Sequence, residues 1–432
     1  MTASRRLIGP GGRLFAEPEP GPDEATFRVD NTSAAYYQSP YFLLHKNQVQ
    51  PIPAPRAHAP LQLALADVVP ADVTAAIQAA GRITFNAVGD TGAAKVDRSQ
   101  TVATAIAHEA AVTDALAAEA AAAGPQAPAF LFHLGDVVYN FGEAQYYYDQ
   151  FYEPFRAYDR PIFAIPGNHD GAVFGPSSTA PKVPSLAAFL RNFCAAAPGP
   201  SPDAGGLVRS VMTQPGVYFT LDAPFVSIIG LYSNVLEGPG VLSSQGGHYP
   251  IGDQQAAFLE SELRRLKPDR TAGKRAVVLA LHHPPLSADA KHAGSTGAQL
   301  DMDTACAAAG LWPDLVLSGH AHLYQRFTRR AGPGGKETPY IVAGSGGFAA
   351  TPPQYTLGPA PITVGDHTLE IDPIVKFGHL TVTTDARTLT VSFRSPTSKG
   401  SKELDSVTVD LASGKVRAGA PRRRGRRGRR RA

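Results

Sequence analysis

Cysteine is scarce in this sequence, since Cys194 and Cys306 are the only two among 432 residues. A chain of this length buries enough apolar surface to fold without disulfides, which excludes a small disulfide-stapled scaffold. Two distant cysteines fit a reducing compartment and leave room for at most one bridge. With so few thiolates, a structural zinc site is not expected.

Long apolar segments are missing as well. Every apolar run is shorter than the roughly 20 residues of a membrane-spanning helix or is interrupted by acidic residues. No transmembrane segment is therefore expected. Residues 1–20 contain Arg5 and Arg6 but lack the apolar core of a signal peptide. This favours a cytoplasmic location and leaves export as the alternative.

Positive charge is concentrated at the C-terminus. The formal net charge of +3 depends on residues 421–432 (PRRRGRRGRRRA), which hold eight arginines; without them the chain has 32 basic and 37 acidic residues. These residues offer nothing from which a core could form, so the favoured interpretation is a solvated, disordered tail. The alternative is weak contact with an anionic polymer such as a nucleic acid or polyphosphate.

Short runs of β-branched and aromatic residues recur from Gly81 onward, and many lead directly into Gly, Asp, Asn or His. The runs span residues 83–88, 130–134, 162–165, 226–231, 277–281, 315–317 and 340–342. Their nearly continuous apolar character is typical of strands buried on both faces. The pattern predicts strands whose ends carry polar side chains.

Helices are predicted between these strands. Residues 101–123 are rich in alanine and stop at Gly124, and residues 253–266 begin with Asp253 at a plausible N-cap. An alternation typical of half-exposed antiparallel strands is found in residues 378–383, 389–395 and 406–410. Together these elements predict an α/β sandwich of two mixed β-sheets flanked by helices.

One domain, over residues 81–412, contains all of these elements. Residues 1–80 are interpreted as an N-terminal extension with a proline-rich linker, partly disordered. Residues 413–432 are interpreted as the arginine-rich disordered tail. The chemistry of the chain is therefore sought in residues 81–412.

Five short motifs in this domain carry metal-binding residue types. They are Gly89-Asp90-Thr91-Gly92, Gly135-Asp136-Val137-Val138-Tyr139, Gly167-Asn168-His169-Asp170, Leu279-Ala280-Leu281-His282 and Gly319-His320-Ala321-His322. Oxygen donors combined with imidazoles suit two cations of the Fe, Zn or Mn type better than Ca or Mg. Because the motifs follow strands, they predict one site at the carboxyl edge of the sheets.

In this order, the motifs resemble the GDxG, GDxxY, GNH(D/E), VxxH and GHxH set of the purple acid phosphatases, within the calcineurin-like metallophosphoesterases. The resemblance extends over residues 85–325 and implies a four-layer metallophosphoesterase fold. Leu279 replaces the usual valine without affecting a ligand. Gly92 stands where most calcineurin-like enzymes have a metal-binding histidine, and Tyr139 is the replacement ligand in the purple acid group. Gly92 and Tyr139 together therefore strengthen the resemblance to the purple acid group.

The resemblance implies a centre for two metal ions. Asp90, Tyr139 and His322 would bind the first ion, expected to be Fe(3+). Asn168, His282 and His320 would bind the second, expected to be Zn(2+), Fe(2+) or Mn(2+). Asp136 would bridge both ions and is counted among the catalytic residues.

The implied activity is hydrolysis of small phosphate monoesters by a metal-bound hydroxide, as in an acid phosphatase. His169 occupies the position of a substrate-contacting histidine and is the first candidate for general acid or phosphate clamp. His292, ten residues after His282, resembles the second substrate histidine of the family. The alternatives are a phosphodiesterase or nucleotide hydrolase on the same centre and, from a different class, a protein that binds an anionic polymer through its tail.

Overall fold

A computed structural model describes residues 30–419 except 47–48, 57–59, 94–100, 123, 125, 140, 172–183, 234–237 and 355–357. Residues 1–29 and the arginine-rich residues 421–432 lie outside the described part. The interpretations of these two segments therefore stay predictions.

The described residues form sixteen strands and eight α-helices. The strands are β1 (Gln62–Ala64), β2 (Arg82–Val88), β3 (Leu131–His133), β4 (Ile162–Ala164), β5 (Phe219–Ala223), β6 (Val226–Leu231), β7 (Ala276–Leu281), β8 (Leu315–Ser318), β9 (Tyr324–Gly332), β10 (Lys336–Ala343), β11 (Ile362–Val364), β12 (His367–Leu369), β13 (His379–Asp385), β14 (Thr388–Thr397), β15 (Gly400–Asp410) and β16 (Lys415–Ala418). The helices are α1 (Ala34–Tyr37), α2 (Pro40–His45), α3 (Ala71–Ala80), α4 (Val102–Ala120), α5 (Asn168–Gly171), α6 (Ala187–Phe193), α7 (Gln254–Thr271) and α8 (Thr296–Ala309).

The strands form two mixed sheets. The larger sheet has the order β1-β5-β6-β7-β8-β10-β9-β12-β11, and the smaller has the order β16-β15-β14-β13-β2-β3-β4. Strands β6, β7, β8 and β10 are parallel in the larger sheet, as are β2, β3 and β4 in the smaller. The five polar motifs follow strands of these two parallel groups.

Apolar side chains fill the space between the sheets and outside each of them. Phe85 and Phe132 from the smaller sheet share one buried cluster with Ile228 and Val278 from the larger. A second cluster joins the larger sheet to α7 and α8, and a third joins the smaller sheet to α4. The predicted architecture is confirmed: helices flank two mixed sheets in a four-layer α/β sandwich.

All ten apolar or alternating runs in the sequence form strands, whereas β9 is not predicted. The reason is its sequence, YQRFTRRAG, in which arginines interrupt the apolar pattern. Arg326 pairs with Asp405 at 2.7 Å, and Arg329 reaches Asp303 and Asp366. Charges that look solvent-exposed in the sequence are thus neutralised inside the fold.

The structure places two strands outside the predicted domain boundaries. Before residue 81, β1 pairs in parallel with β5 and extends the larger sheet. After residue 412, β16 pairs with β15. In the described part of the chain, no helix is long and apolar enough to cross a membrane. Cys194 and Cys306 are both buried and unbridged.

Glu119 fastens α4 to the smaller sheet. Its carboxylate accepts hydrogen bonds from Thr381 and Ser401 at 2.8 and 2.7 Å, and it pairs with Arg394 at 2.7 Å and His379 at 3.1 Å. Burial would raise the pKa of Glu119, but these partners outweigh it and hold the pKa below its ordinary value. The ionised carboxylate is therefore part of the fold.

Replacing Glu119 by Gln leaves Arg394 without its counter-charge, and we expect the free energy of unfolding at pH 7 to fall by about 3 kcal/mol. Because the folded-state pKa is lowered, the stabilisation is present above the unfolded-state pKa and is lost as pH falls through the folded one. Urea titrations at several pH values should show the difference from wild type shrinking in acid. Glu260→Gln, which removes an exposed pair with Arg264, serves as the control and should change stability by less than about 1 kcal/mol. Equal stability of wild type and Glu119→Gln at pH 7 would contradict the assignment.

Candidate metal centre

The residues of the five motifs come together at one edge of the sandwich. Asp90, Asp136 and Asn168 follow β2, β3 and β4, whereas His282 and His320 follow β7 and β8. The smaller sheet therefore supplies most of the oxygen donors, and the larger sheet supplies imidazoles. All seven predicted metal ligands are buried, with at most 5% of any residue exposed.

One group of donors surrounds Asp90. The hydroxyl of Tyr139 donates to Oδ1 of Asp90 at 3.2 Å, and Nε2 of His322 lies 3.4 Å from the same oxygen. The other oxygen, Oδ2, accepts a hydrogen bond from the backbone N–H of His320 at 2.9 Å. One carboxylate oxygen thus meets a phenol and an imidazole, while backbone fixes the second oxygen.

A second group surrounds Asn168. Its Oδ1 lies 3.0 Å from Nε2 of His282 and 3.1 Å from Nδ1 of His320. The orientation of the His282 ring is fixed by a hydrogen bond from its Nδ1 to the carbonyl of Leu134 at 2.8 Å. This leaves Nε2 directed into the centre, as a metal-binding imidazole requires.

Asp136 lies between the two groups. Its Oδ1 accepts a hydrogen bond from the backbone N–H of His169 at 2.9 Å, and its Oδ2 lies 3.4 Å from Nε2 of His282. Donor atoms of Asp90, Asp136 and His282 all lie within 4.8 Å of one another. The central position of Asp136 is the one that a bridging ligand needs.

The donor atoms fit metal ions. Ligands about 2.0–2.2 Å from one cation, at right or tetrahedral angles, are separated by roughly 3.0–3.5 Å, the range seen in both groups. Oδ2 of Asp136 is buried and has no hydrogen-bond partner among the described residues. A buried carboxylate oxygen without a hydrogen bond is costly, and a cation would reduce that cost.

The two carboxylates also alter the ionisation of the neighbouring donors. Burial lowers the pKa of His282, but the charges of Asp136 and Asp90 and the hydrogen bonds of the ring together outweigh burial and raise the pKa to about 9. Burial, followed by neighbouring imidazoles, holds the pKa of His320 well below its ordinary value. Burial and the two carboxylates raise the pKa of Tyr139 well above its ordinary value. Cation binding would displace the protons on His282 and Tyr139.

The backbone is strained at three of these positions. Asp90, Asp136 and His320 have φ angles of 60°, 55° and 67°, in the left-handed region that residues other than glycine rarely adopt. Each such residue costs on the order of 1–3 kcal/mol and tends to occur where function over-determines the geometry. The turns after β2, β3 and β8 are therefore shaped to direct these side chains inward.

Gly167 allows the chain to pass close to Asp136. A Cβ atom at residue 167 would lie 2.1 Å from Oδ1 of Asp136 and 2.5 Å from its backbone nitrogen. Gly92 is similar, because a Cβ there would lie 2.6 Å from Oε1 of Gln150 and 2.9 Å from the Tyr139 ring. The motif glycines are thus required by close approach to the proposed ligands.

Two supporting residues were missed by the sequence analysis. Gln150 exchanges two hydrogen bonds with the backbone of Tyr139, at 2.8 and 2.7 Å, and Phe348 stacks on the Tyr139 ring with centroids 3.5 Å apart. Neither residue lies in a metal-ligand motif. The glycine-rich run 344–347 after β10 is the one signal that could have pointed to Phe348.

The two predicted substrate histidines both lie beside the centre. The ring of His169 is 4.3 Å from that of Tyr139, and the ring of His292 is 4.6 Å from His320 and 5.1 Å from His322. Asp170 accepts hydrogen bonds from backbone N–H groups of Gly167, Val137 and Val138, which is a turn-stabilising role.

Two further histidines are held by neighbouring hydroxyls. His133 accepts from the N–H of Gly135 at 3.2 Å and lies 2.9 Å from the hydroxyl of Thr91, and burial lowers its pKa to about 4. It is therefore a neutral core histidine. His283 lies 2.6 Å from the hydroxyl of Ser233 and packs 4.2 Å from the His320 ring.

Comparison with known proteins identifies the family of this chain. Residues 83–324, more than half of the chain, match the calcineurin-like phosphoesterase family, and the chain belongs to that family. Members of the family typically bind two metal ions. No curated protein sequence matches the chain.

Several solved structures are similar to this chain at low sequence identity. A purple acid phosphatase from yellow lupin (Lupinus luteus) is 15% identical with a TM-score of 0.49, over 76% of this chain and 54% of that one. This chain thus spans about half of the lupin protein. A dimetal phosphatase from Danio rerio is 12% identical with a TM-score of 0.45, over 76% and 99% of the two chains. The anchor of the inner membrane complex of Plasmodium is 14% identical with a TM-score of 0.46, over 75% and 88%.

Gly167→Ala tests the close approach to Asp136. The added methyl group must displace the Asp136 carboxylate, so we expect metal affinity to fall about 10- to 100-fold, as it does when a group that orients a ligand is lost. Metal content after dialysis against graded chelator, measured by mass spectrometry, reports the change. Gly199→Ala is the matched control, because a Cβ there meets nothing within 4 Å. Equal metal retention by both variants would show that Gly167 does not shape the centre.

Proposed function

We propose that this protein hydrolyses small phosphate monoesters at a dinuclear metal centre. The observation that carries the proposal is the convergence of two donor groups, around Asp90 and Asn168, with Asp136 between them. Each group combines oxygen and imidazole donors, which suits Fe, Zn or Mn. Two donor groups that could each hold such an ion match the chemistry of phosphoryl transfer to water.

In this proposal the Asp90 group binds Fe(3+), and the Asn168 group binds Zn(2+), Fe(2+) or Mn(2+). The first group consists of Asp90, Tyr139 and His322. The second consists of Asn168, His282 and His320. Asp136, which lies between the two groups, would help to hold both ions. When bound, the two ions supply an acidified water and stabilise the charge that develops on the phosphoryl oxygens.

The protein itself positions the reacting groups, excludes water from the centre and provides a candidate proton donor. Burial of the donor set excludes bulk water, which strengthens every charge interaction in the centre. His169 is held by its backbone hydrogen bond to Asp136 and by ring contact with Tyr139. Its imidazole is our candidate to clamp the phosphate or to protonate the leaving oxygen.

Release of phosphate from p-nitrophenyl phosphate between acid and neutral pH tests the activity. We expect turnover that a chelator removes and that Fe with Zn or Mn restores. Asp136→Asn should lower kcat by more than about 100-fold, since even groups that only orient a ligand contribute 10- to 100-fold. Parallel assays with bis-p-nitrophenyl phosphate and ATP separate the monoesterase from a diesterase or nucleotide hydrolase. Faster hydrolysis of either of these would overturn the monoester assignment.

His169→Ala tests the proton donor. If His169 protonates the leaving oxygen, the loss in kcat should be about 100-fold or more for glycerol phosphate, whose alkoxide is a poor leaving group. The loss for p-nitrophenyl phosphate should be much smaller, because nitrophenolate leaves without a proton. His248→Ala is the control, since His248 is exposed and stacks on Tyr37 outside the centre. Equal losses for both substrates would favour a phosphate clamp over a general acid.

A further inference from the structure

Asp289 is a fully buried carboxylate that the proposed mechanism does not use. Its Oδ1 accepts hydrogen bonds from the backbone N–H groups of Lys291 and His292, at 2.7 and 2.6 Å. The same oxygen lies 3.3 Å from Nδ1 of the His292 ring, an ion-pair distance rather than a well-aligned hydrogen bond. Asp289 therefore contacts both the backbone and the side chain of His292.

Thr351 holds the other oxygen of Asp289. Its hydroxyl donates to Oδ2, and the two residues are separated by 62 positions in the sequence. Backbone hydrogen bonds fasten the same two segments on either side, from Ala290 to Pro352 at 3.0 Å and from Gln354 to Ala288 at 2.9 Å. The backbone N–H of Thr351 also donates to the carbonyl of His322 at 3.3 Å. These hydrogen bonds join the segment that carries His292 to the motif that contains His322.

An aspartate that only stabilised a turn would not need the contacts that Asp289 makes with Thr351 and with the His292 ring. Asp385 forms the same turn between β13 and β14, where its Oδ1 accepts from the backbone N–H groups of Arg387 and Thr388 at 2.7 and 2.8 Å. Arg387 in that turn is exposed, and Asp385 pairs with Arg82 at the start of β2, whereas Asp90 follows the other end of this strand. Asp289 differs from Asp385 in two ways: its second oxygen accepts a hydrogen bond from Thr351, and its first oxygen contacts the His292 ring. That ring lies against His320 and His322.

We propose that Asp289, locked by Thr351, is a positioning residue that holds the His292 imidazole against the metal centre, where it contacts the phosphoryl group of the substrate. The proposal rests on the proposed function for the identity of that substrate. Burial opposes ionisation of Asp289, but its contacts with His292 and Thr351 outweigh burial and lower its pKa. Asp289 thus presents a fixed negative charge to the ring.

A double-mutant cycle tests whether Asp289 acts through His292. Asp289→Asn keeps an acceptor for the two backbone N–H groups but removes the charge. We expect it to lower kcat/KM for p-nitrophenyl phosphate about tenfold and to weaken binding of inorganic phosphate, since small displacements of a substrate-contacting group reduce rates by up to about 100-fold. In the His292→Ala background, Asp289→Asn should change either quantity by less than about twofold, because the effects of coupled residues do not add.

Thr351→Val replaces the hydroxyl with a methyl group and should lower kcat/KM about threefold, a smaller loss than that of Asp289→Asn. This loss should also disappear in the His292→Ala background. Thr351→Ser, which keeps the hydroxyl, should lose less than Thr351→Val. Asp385→Asn is the matched control for a change of charge in the same kind of turn, and it should leave kcat/KM and phosphate binding unchanged.

An equal effect of Asp289→Asn in both backgrounds would overturn the proposal, because Asp289 would then act on the fold and not through His292. Wild-type behaviour of Asp289→Asn would overturn it as well. Calorimetric titration of the metal-loaded variants with inorganic phosphate gives a second readout that does not require turnover. If the wild-type protein hydrolyses no phosphate ester, the proposed function fails, and the phosphate-binding cycle still decides the role of Asp289.

Discussion

Two buried carboxylates, Asp90 and Asp136, impose the constraint on which the rest of the structure depends. An ionised carboxylate without compensation inside a protein costs many kcal/mol. The fold answers with backbone N–H donors from His320 and His169 and with imidazoles from the larger sheet. Because these partners come from both sheets, the charges can be balanced only when the two sheets pack with their carboxyl edges together. The candidate metal centre and the packing of the two sheets therefore depend on each other.

Most of the sandwich follows from the sequence because buried parallel strands have a strong apolar pattern. The runs that became β2, β6 and β7 have no charged residue between their first and last apolar positions. Strand β9 escaped prediction because its arginines find partners only in the folded chain. Strand β1 escaped because three residues beside a proline-rich segment carry too little pattern, and its pairing with β5 depends on tertiary structure. Local sequence therefore predicts the centre of each sheet better than its edges.

In the candidate site, too, local sequence indicates some residues and not others. The residues proposed as ligands could be proposed from the sequence because they lie in short motifs directly after strands, where spacing and residue type are informative. Their supporting residues were not found, because their contacts connect distant positions. Gln150 lies 11 residues from the Tyr139 backbone that it holds, and Thr351 lies 62 residues from Asp289. A glutamine and a threonine have no distinctive chemistry in a sequence, and only their placement in the fold gives them a role.

The position of β2 inside the smaller sheet bears on how the chain folds as it leaves the ribosome. One edge of β2 pairs with β3, which is close in the sequence, but the other edge pairs with β13, and Asn86 contacts Leu380 across 294 residues. Until β13 has been made, an apolar strand keeps one edge unpaired, which is a state prone to aggregation and slow to resolve. A chain that ended before residue 379 would contain every candidate metal ligand. It would still lack the strand that covers β2, from whose end Asp90 projects.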